Sequence, residues 1–196
     1  MIPSRIEIRL ALAGALRLFA FRPEGFAFMA QDAAAAWRSF FAMVLAAPGF
    51  AMTLERLRVD LQLEEQGLHF YGVWALIYVI LWFAFPLLLL KMSEQQPFAP
   101  KVPAYIACAN WVSVPAVYVD LAADLAGRAS LLPVPLLDAV EFGLLCWFLA
   151  VQWWLLRRLL GLAGLQAAAL VMLSEGISFG CFLWGISRTA LPGVAG

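Results

Sequence analysis

The chain has 196 residues, enough for one domain, with 13 basic and 13 acidic side chains and a formal net charge of zero. Charged residues make up 13% of the composition and hydrophobic residues 64%, with a mean hydropathy of +0.87, whereas a soluble domain carries about twice that share of charge. These figures exclude soluble, collagen-like, disulfide-scaffold and disordered chains, and with no basic surplus a nucleic-acid partner loses its electrostatic footprint, which leaves an integral membrane protein.

In chain order, Met1 to Gln31 comes first, with Arg5, Arg9, Arg17 and Arg22 set among Leu, Phe and Ile. Its apolar run from Leu10 to Leu16 stops at Arg17, which makes a poor signal-peptide core. The expected structure is an interfacial arm, its Arg side chains toward lipid headgroups and its apolar ones in the interface. Helical periodicity is weak here, and Arg5-Ile6-Glu7-Ile8-Arg9 alternates as a strand would.

A transmembrane helix needs about 20 mostly apolar residues to cross about 30 Å of hydrocarbon. Five stretches qualify: Ala33 to Thr53, Phe70 to Leu90, Pro103 to Ala126, Val134 to Leu156 and Ala163 to Ser187. Backbone polar groups must be satisfied within the bilayer, and runs of this length achieve it as helices. The expected fold is therefore all-α, a polytopic membrane bundle of five transmembrane helices with short loops. Between the first two spans, Leu54, Leu57, Leu61 and Leu68 recur at helical spacing among Glu55, Arg56, Arg58, Asp60 and Glu65, a pattern that predicts a short amphipathic helix on the membrane surface. Pro97, Pro100 and Pro103 punctuate the second loop, and the last two connections are short, so spans two to five should pack as consecutive hairpins. Residues 188–196 form a short tail.

Lys and Arg near span ends are retained on the cytoplasmic side. Arg5, Arg9, Arg17, Arg22, Lys91, Lys101, Arg157 and Arg158 lie on one side, and Arg56, Arg58, Arg128 and Arg188 on the other. The N-terminus is therefore expected inside and the C-terminus outside. The Ala-, Leu- and Arg-rich composition with two Lys fits a high-GC bacterium, so the expected location is a bacterial inner membrane.

Charges within spans cost at least about 2.5 to 3.5 kcal/mol at the bilayer centre, so the six found there are the candidate polar residues. Asp120 and Asp124 lie four apart near the outer end of span three, and Asp138 and Glu141 three apart near the outer start of span four. All four fall within about 11 Å of the outer boundary, and the short loop between the spans should bring the pairs together. His69 precedes span two on the same side. One reading is an acidic vestibule that binds a cation or relays protons; the favoured reading is structural, with Asp124 and Asp138 at the water boundary. One His and scattered acids match no metal-ligand spacing, and neither metal nor cofactor is expected.

Glu175 lies twelve residues from either end of span five. Two alternatives remain open for it: an ion pair with Arg38, the one base inside a span, or a neutral carboxyl hydrogen-bonded to a group such as Asn110 of span three. Gly176 and Gly180 form a GxxxG pair that permits close helix approach, with internal packing favoured over a dimer interface. Pro86 and Pro115 should kink spans two and three. Trp153 and Trp154 precede Arg157 and Arg158 as an aromatic belt would, while Trp82, Trp111 and Trp147 are deeper. Cys108, Cys146 and Cys181 fall in three different spans without a CxxC motif.

Residues 176–180 spell GxSxG, but that motif requires Ser178 on a strand-to-helix turn, and here it falls inside a helix. No Walker loop, HExxH or GxGxxG occurs, and Tyr118-Val119-Asp120 and Leu137-Asp138-Ala139 both miss the intramembrane aspartyl protease motifs. The expectation is a protein without enzymatic activity.

The polar arm, the lead-in Phe21-Arg22-Pro23-Glu24-Gly25-Phe26 and five spans in about 160 residues together resemble bacterial members of the Yip-domain five-span membrane family. The resemblance lies in layout; of the eukaryotic branch's DLYGP motif, Phe70-Tyr71-Gly72 shares the Tyr-Gly step. It implies an integral, non-enzymatic protein that organises membrane partners, and it assigns no residue a role. The leading expectation is a structural or interaction component whose partners are the bilayer and other membrane proteins or its own copies. The alternative is a small transporter or channel component using the outer acids and Glu175, which requires a polar cavity joining Asp120 and Glu141 to Glu175.

Overall fold

A computed structural model describes residues 2–30, 32–61, 67–131 and 133–189. The described residues form helices α1 (Arg5–Phe19), α2 (Ala33–Ser39), α3 (Phe41–Asp60), α4 (Gly67–Ser93), α5 (Val102–Arg128), α6 (Val134–Leu160) and α7 (Gly164–Thr189), with 3-10 turns at Pro23–Phe28 and Ala99–Lys101 and no strand. Five helical segments are long and apolar enough to cross a membrane: Ala33–Asp60, Gly67–Ser93, Ala99–Arg128, Val134–Leu160 and Gly164–Thr189. The fold is all-helical, and these five segments fit a multi-pass membrane protein.

The first span is two helices. Ser39 turns its hydroxyl back onto the Ala36 carbonyl at 2.6 Å, a local bond that competes with the helix ladder, and Phe40 then separates α2 from α3 and stacks on Phe83 at 4.5 Å. Pro48 lies inside α3 and leaves the Val44 carbonyl without its backbone donor. The flanking carbonyls of Met43 and Leu45 accept from the hydroxyls of Tyr78 (2.6 Å) and Tyr118 (2.9 Å), tying the bend to α4 and α5. The separate amphipathic helix expected after Thr53 is corrected: Leu54 to Asp60 are the last turns of α3, with Leu54 buried, and Leu68 and His69 open α4. The helical spacing there continues the span. Glu65 lies outside the described residues.

α5 is the hub. Half of its most apolar stretch is buried, against 6% and 11% for α6 and α7, and it packs on α1, α2, α3 and α6. α6 and α7 follow it as antiparallel neighbours, and α7 also lies against α4. The hairpin expectation holds for α5–α6 and α6–α7, while α4 packs more on α7 than on α5. The long helices therefore form a ring, with room at its centre.

The N-terminal arm is also corrected. Its residues 5–9 are helical, not strand-like: Ser4 caps α1 through the Glu7 N–H, and Ala11, Gly14, Ala15 and Leu18 recur on one buried face. That face docks on α5 and on the 3-10 turn, where a Cβ on Gly14 would stand 2.8 Å from the Gly25 carbonyl oxygen and one on Gly25 would stand 2.6 Å from that of Gly14. Only glycines permit the approach. α1 ends on Phe21 at φ +57°, closed by Arg22 N–H to Arg17 C=O (2.8 Å) and Phe21 N–H to Leu18 C=O (2.9 Å). This is the Schellman pattern with a phenylalanine where glycine is usual. The Phe21 ring meets Trp147 and Trp154 edge-on at 5.0 and 5.6 Å, and Trp147 Nε1 donates to the Phe19 carbonyl at 3.0 Å. Trp147 is midway along α6, so the arm enters the bundle.

Candidate functional site

The ring encloses a cavity of about 400 Å³ to which α3, α4, α5, α6 and α7 all contribute, and which Phe19 of the arm also lines. Its polar lining comes from Tyr105, Asn110, Ser113, Gln152, Ser174 and Ser178. A second space of about 540 Å³ adjoins it, shares Phe50, Leu81 and Ser178, and is lined by Glu175. It reaches the outer surface of the bundle beside the exposed Met172 and Phe179.

Glu175 Oε1 accepts a hydrogen bond from Gln152 Nε2 at 3.0 Å. Neither expected partner is used. Asn110 is buried and gives its amide N–H to Ser39 Oγ at 2.9 Å, fastening α5 to the α2–α3 junction. Arg38 Nε pairs with Glu7 Oε1 at 2.6 Å, because docking brings the acid of α1 within reach of α2. Among the described residues Glu175 has no basic partner, and it is within electrostatic range of Tyr105. Tyr105 is 3% exposed, and its hydroxyl makes no hydrogen bond among the described residues. Ser178 donates to the Ser174 carbonyl within a continuous helix, so the GxSxG residues hold no nucleophile turn. The Trp74 indole N–H is buried without an acceptor among the described residues.

At the end of the bundle where α3 and α5 finish, the four acids do not meet as a cluster. Asp124 is buried and pairs with Arg56 Nη1 at 2.5 Å and Arg128 Nε at 3.6 Å. Asp60 closes the net through Arg56 at 3.3 Å and Arg128 at 3.7 Å. Two acids alternate with two bases, so the described residues form no acidic vestibule there. Asp120 is exposed and feels the charges of Arg56 and Asp124. Asp138 is exposed and Glu141 half-buried; neither has an ion pair or side-chain hydrogen bond among the described residues. The α5–α6 contact at this end is apolar, with Leu137 against Gly127. His69 is exposed, and its Nε2 lies 3.2 Å from the Arg188 carbonyl oxygen, joining the start of α4 to the end of α7. No group of three or more His, Cys, Asp or Glu among the described residues is placed to hold a metal ion.

Gly176 and Gly180 are exposed, with nothing within 4 Å of where a Cβ would stand. The expectation of internal packing is corrected: α7 turns the pair outward, because its inner face is taken by Glu175 and Ser178.

Sequence reasoning missed Glu7, Arg56, Asp60, Tyr105, Arg128 and Gln152. Arg56–Asp60 and Asp124–Arg128 are i, i+4 pairs on exposed or terminal helical turns, a signal that was present. Gln152 and Glu175 lie eight and eleven residues from the ends of α6 and α7 that flank their tight turn, so an antiparallel hairpin sets them at similar heights. No family model matches the chain, and no curated protein or solved structure is similar to it.

Proposed function

We propose that the protein is a non-enzymatic interaction component of a bacterial inner membrane, crossing it five times with its N-terminus in the cytoplasm. The observation that carries this reading is the outward GxxxG of α7. Met172, Gly176, Gly180 and Leu183 form one exposed arc, and the two glycines create a groove that no described residue fills. Lipid chains gain little from such a groove, whereas a second helix gains close backbone contact there. The layout shared with Yip-domain proteins supports the same role. The orientation is supported by which bases are neutralised: at one end Asp60 and Asp124 engage Arg56 and Arg128. At the other, Arg38 pairs with Glu7 and Lys91 with Glu94, while Lys101, Arg157 and Arg158 are exposed and have no ion pair among the described residues. The surplus belongs on the cytoplasmic side.

The test is the mass of the purified protein in mild detergent, with a Gly176→Leu/Gly180→Leu variant beside it. Open space around both positions means the variant should fold with unchanged thermal stability. The wild type should run as an assembly, of its own copies or with a copurifying membrane protein, and the variant as a single chain. Equal masses would sink the reading.

A second reading, a transport component, is favoured by the cavity beside Glu175. It meets an obstacle in the geometry: Asp120, Asp124, Asp138 and Glu141 line neither of the two adjoining spaces. Proton or cation uptake into vesicles that is lost in Glu175→Gln would support it.

A further inference from the structure

We infer that the cavity inside the helix ring and the adjoining space that opens on the side of the bundle together form a binding site for a lipophilic organic cation, with Glu175 as its counter-ion. The charge argument comes first. A carboxylate among apolar side chains needs a compensating charge or a full set of donors. Glu175 receives one hydrogen bond, from Gln152, and no basic side chain of the described residues reaches it, although a carboxylate can accept about four. Gln152 fixes the carboxylate without neutralising it, so the charge faces a space that no described side chain fills.

The walls match a cation of apolar body. Tyr78, Trp82, Phe85, Tyr105 and Phe148 line the inner space, and aromatic faces attract a weakly hydrated cation within about 6 Å of the ring centre. Some rings are held in place: Tyr78 by its bond to the Met43 carbonyl and by Phe50 stacked on it at 4.5 Å, and Phe85 by the Tyr105 ring. The Tyr105 hydroxyl, without a hydrogen-bond partner among the described residues, offers an oxygen to the same guest. The volume of about 400 Å³ suits a small organic molecule, and a metal ion would leave most of it empty. The outer space, walled by Leu145, Leu149, Met172 and Phe179, gives such a ligand a way in from the side of the bundle. A hydrophilic amine would have to shed its hydration to use that route, so the class is restricted to cations that already partition into lipid.

Tetraphenylphosphonium and tetraphenylborate have nearly the same size and shape and opposite charge, so together they separate the charge from the apolar fit. Binding of each to the full-length protein in lipid vesicles would be read by quenching of tryptophan fluorescence, with protein-free vesicles as the partition control. The wild type should bind the phosphonium saturably and at least tenfold more tightly than the borate. Glu175→Gln should lose at least tenfold for the phosphonium, while Glu94→Gln, which removes a surface acid, should bind as the wild type does. Ala116→Phe, which fills the inner space and keeps Glu175, should also lose phosphonium binding, and this second variant keeps the test open if Glu175→Gln does not fold. Equal binding of the two ions, unchanged phosphonium binding in Glu175→Gln or Ala116→Phe, or no saturable binding at all would overturn the inference. The result is independent of the α7 groove, whose failure would appear in the assembly mass alone.

Discussion

Gly25→Ala should loosen the N-terminal arm. The added Cβ would stand 2.6 Å from the Gly14 carbonyl oxygen and 2.7 and 2.9 Å from two carbons of Leu18. The carbonyl contact alone falls about 0.8 Å short of ordinary van der Waals distance. Leu18 is fully buried and Gly14 belongs to the α1 backbone, so neither yields cheaply, and overpacking of this kind costs about 1–3 kcal/mol. Gly14→Ala meets the same contact from the other side at 2.8 Å. It also replaces a glycine inside a helix, worth about 1 kcal/mol in its favour, so its net cost is about 0–2 kcal/mol. Both substitutions act on one separation. Once the first has opened it the second has little left to displace, and the double variant should fall short of the summed costs by about 1 kcal/mol or more. Denaturant titration in mixed micelles gives the stabilities, and limited proteolysis at residues 20–30 reports the arm. A Gly25→Ala protein with wild-type stability and protection, or strict additivity in the pair, would refute the reasoning.

Three further outcomes are expected. Arg38→Ala and Glu7→Ala should each lower the midpoint of thermal unfolding, and the exchanged pair Arg38→Glu/Glu7→Arg should regain part of the loss, whereas exchanging Arg38 with Glu175 should rescue nothing. Asp124→Asn should cost about 1–3 kcal/mol in the same titration, between the values for exposed and fully buried pairs, because Asp124 is buried while Arg56 is partly exposed; Asp138→Asn should be near neutral. Phe21→Ala should be less stable than Phe21→Gly by about 1 kcal/mol, since both lose the ring contacts with Trp147 and Trp154 and only glycine relaxes the left-handed backbone.

Span length and hydropathy made the five long helices legible, since apolar runs such as Phe70 to Leu90 admit no other structure in a bilayer. Their internal breaks were not. Ser39-Phe40-Phe41 is as apolar as its surroundings, and the break there coincides with a serine bond and with contacts to the distant Phe83 and Asn110. The arm defeated periodicity because its buried face is made of Ala and Gly, which carry little hydropathy signal; close backbone approach, not apolar bulk, holds it. The partner of Arg38 was sought among charges inside the spans, and docking of α1 supplied one from outside. Glu175 stood out as embedded and unusual, but its neutral partner Gln152 carried no charge to mark it, and the cavity arises from how helices splay, which no local pattern encodes. The acids of spans three and four were mispaired, because the bases at the same helix ends were counted as loop charges.

The bond from Trp147 to the Phe19 carbonyl spans 128 positions of sequence. α1 leaves the ribosome long before α6, and until the fourth membrane segment is in place its docking surface lacks Trp147 and Trp154. The Phe19–Phe21 end of α1 therefore stays uncovered until α6 is in place, even after α5 has taken up its buried face. Seating of that end then serves as a closing step that only a chain already threaded through the bilayer can complete.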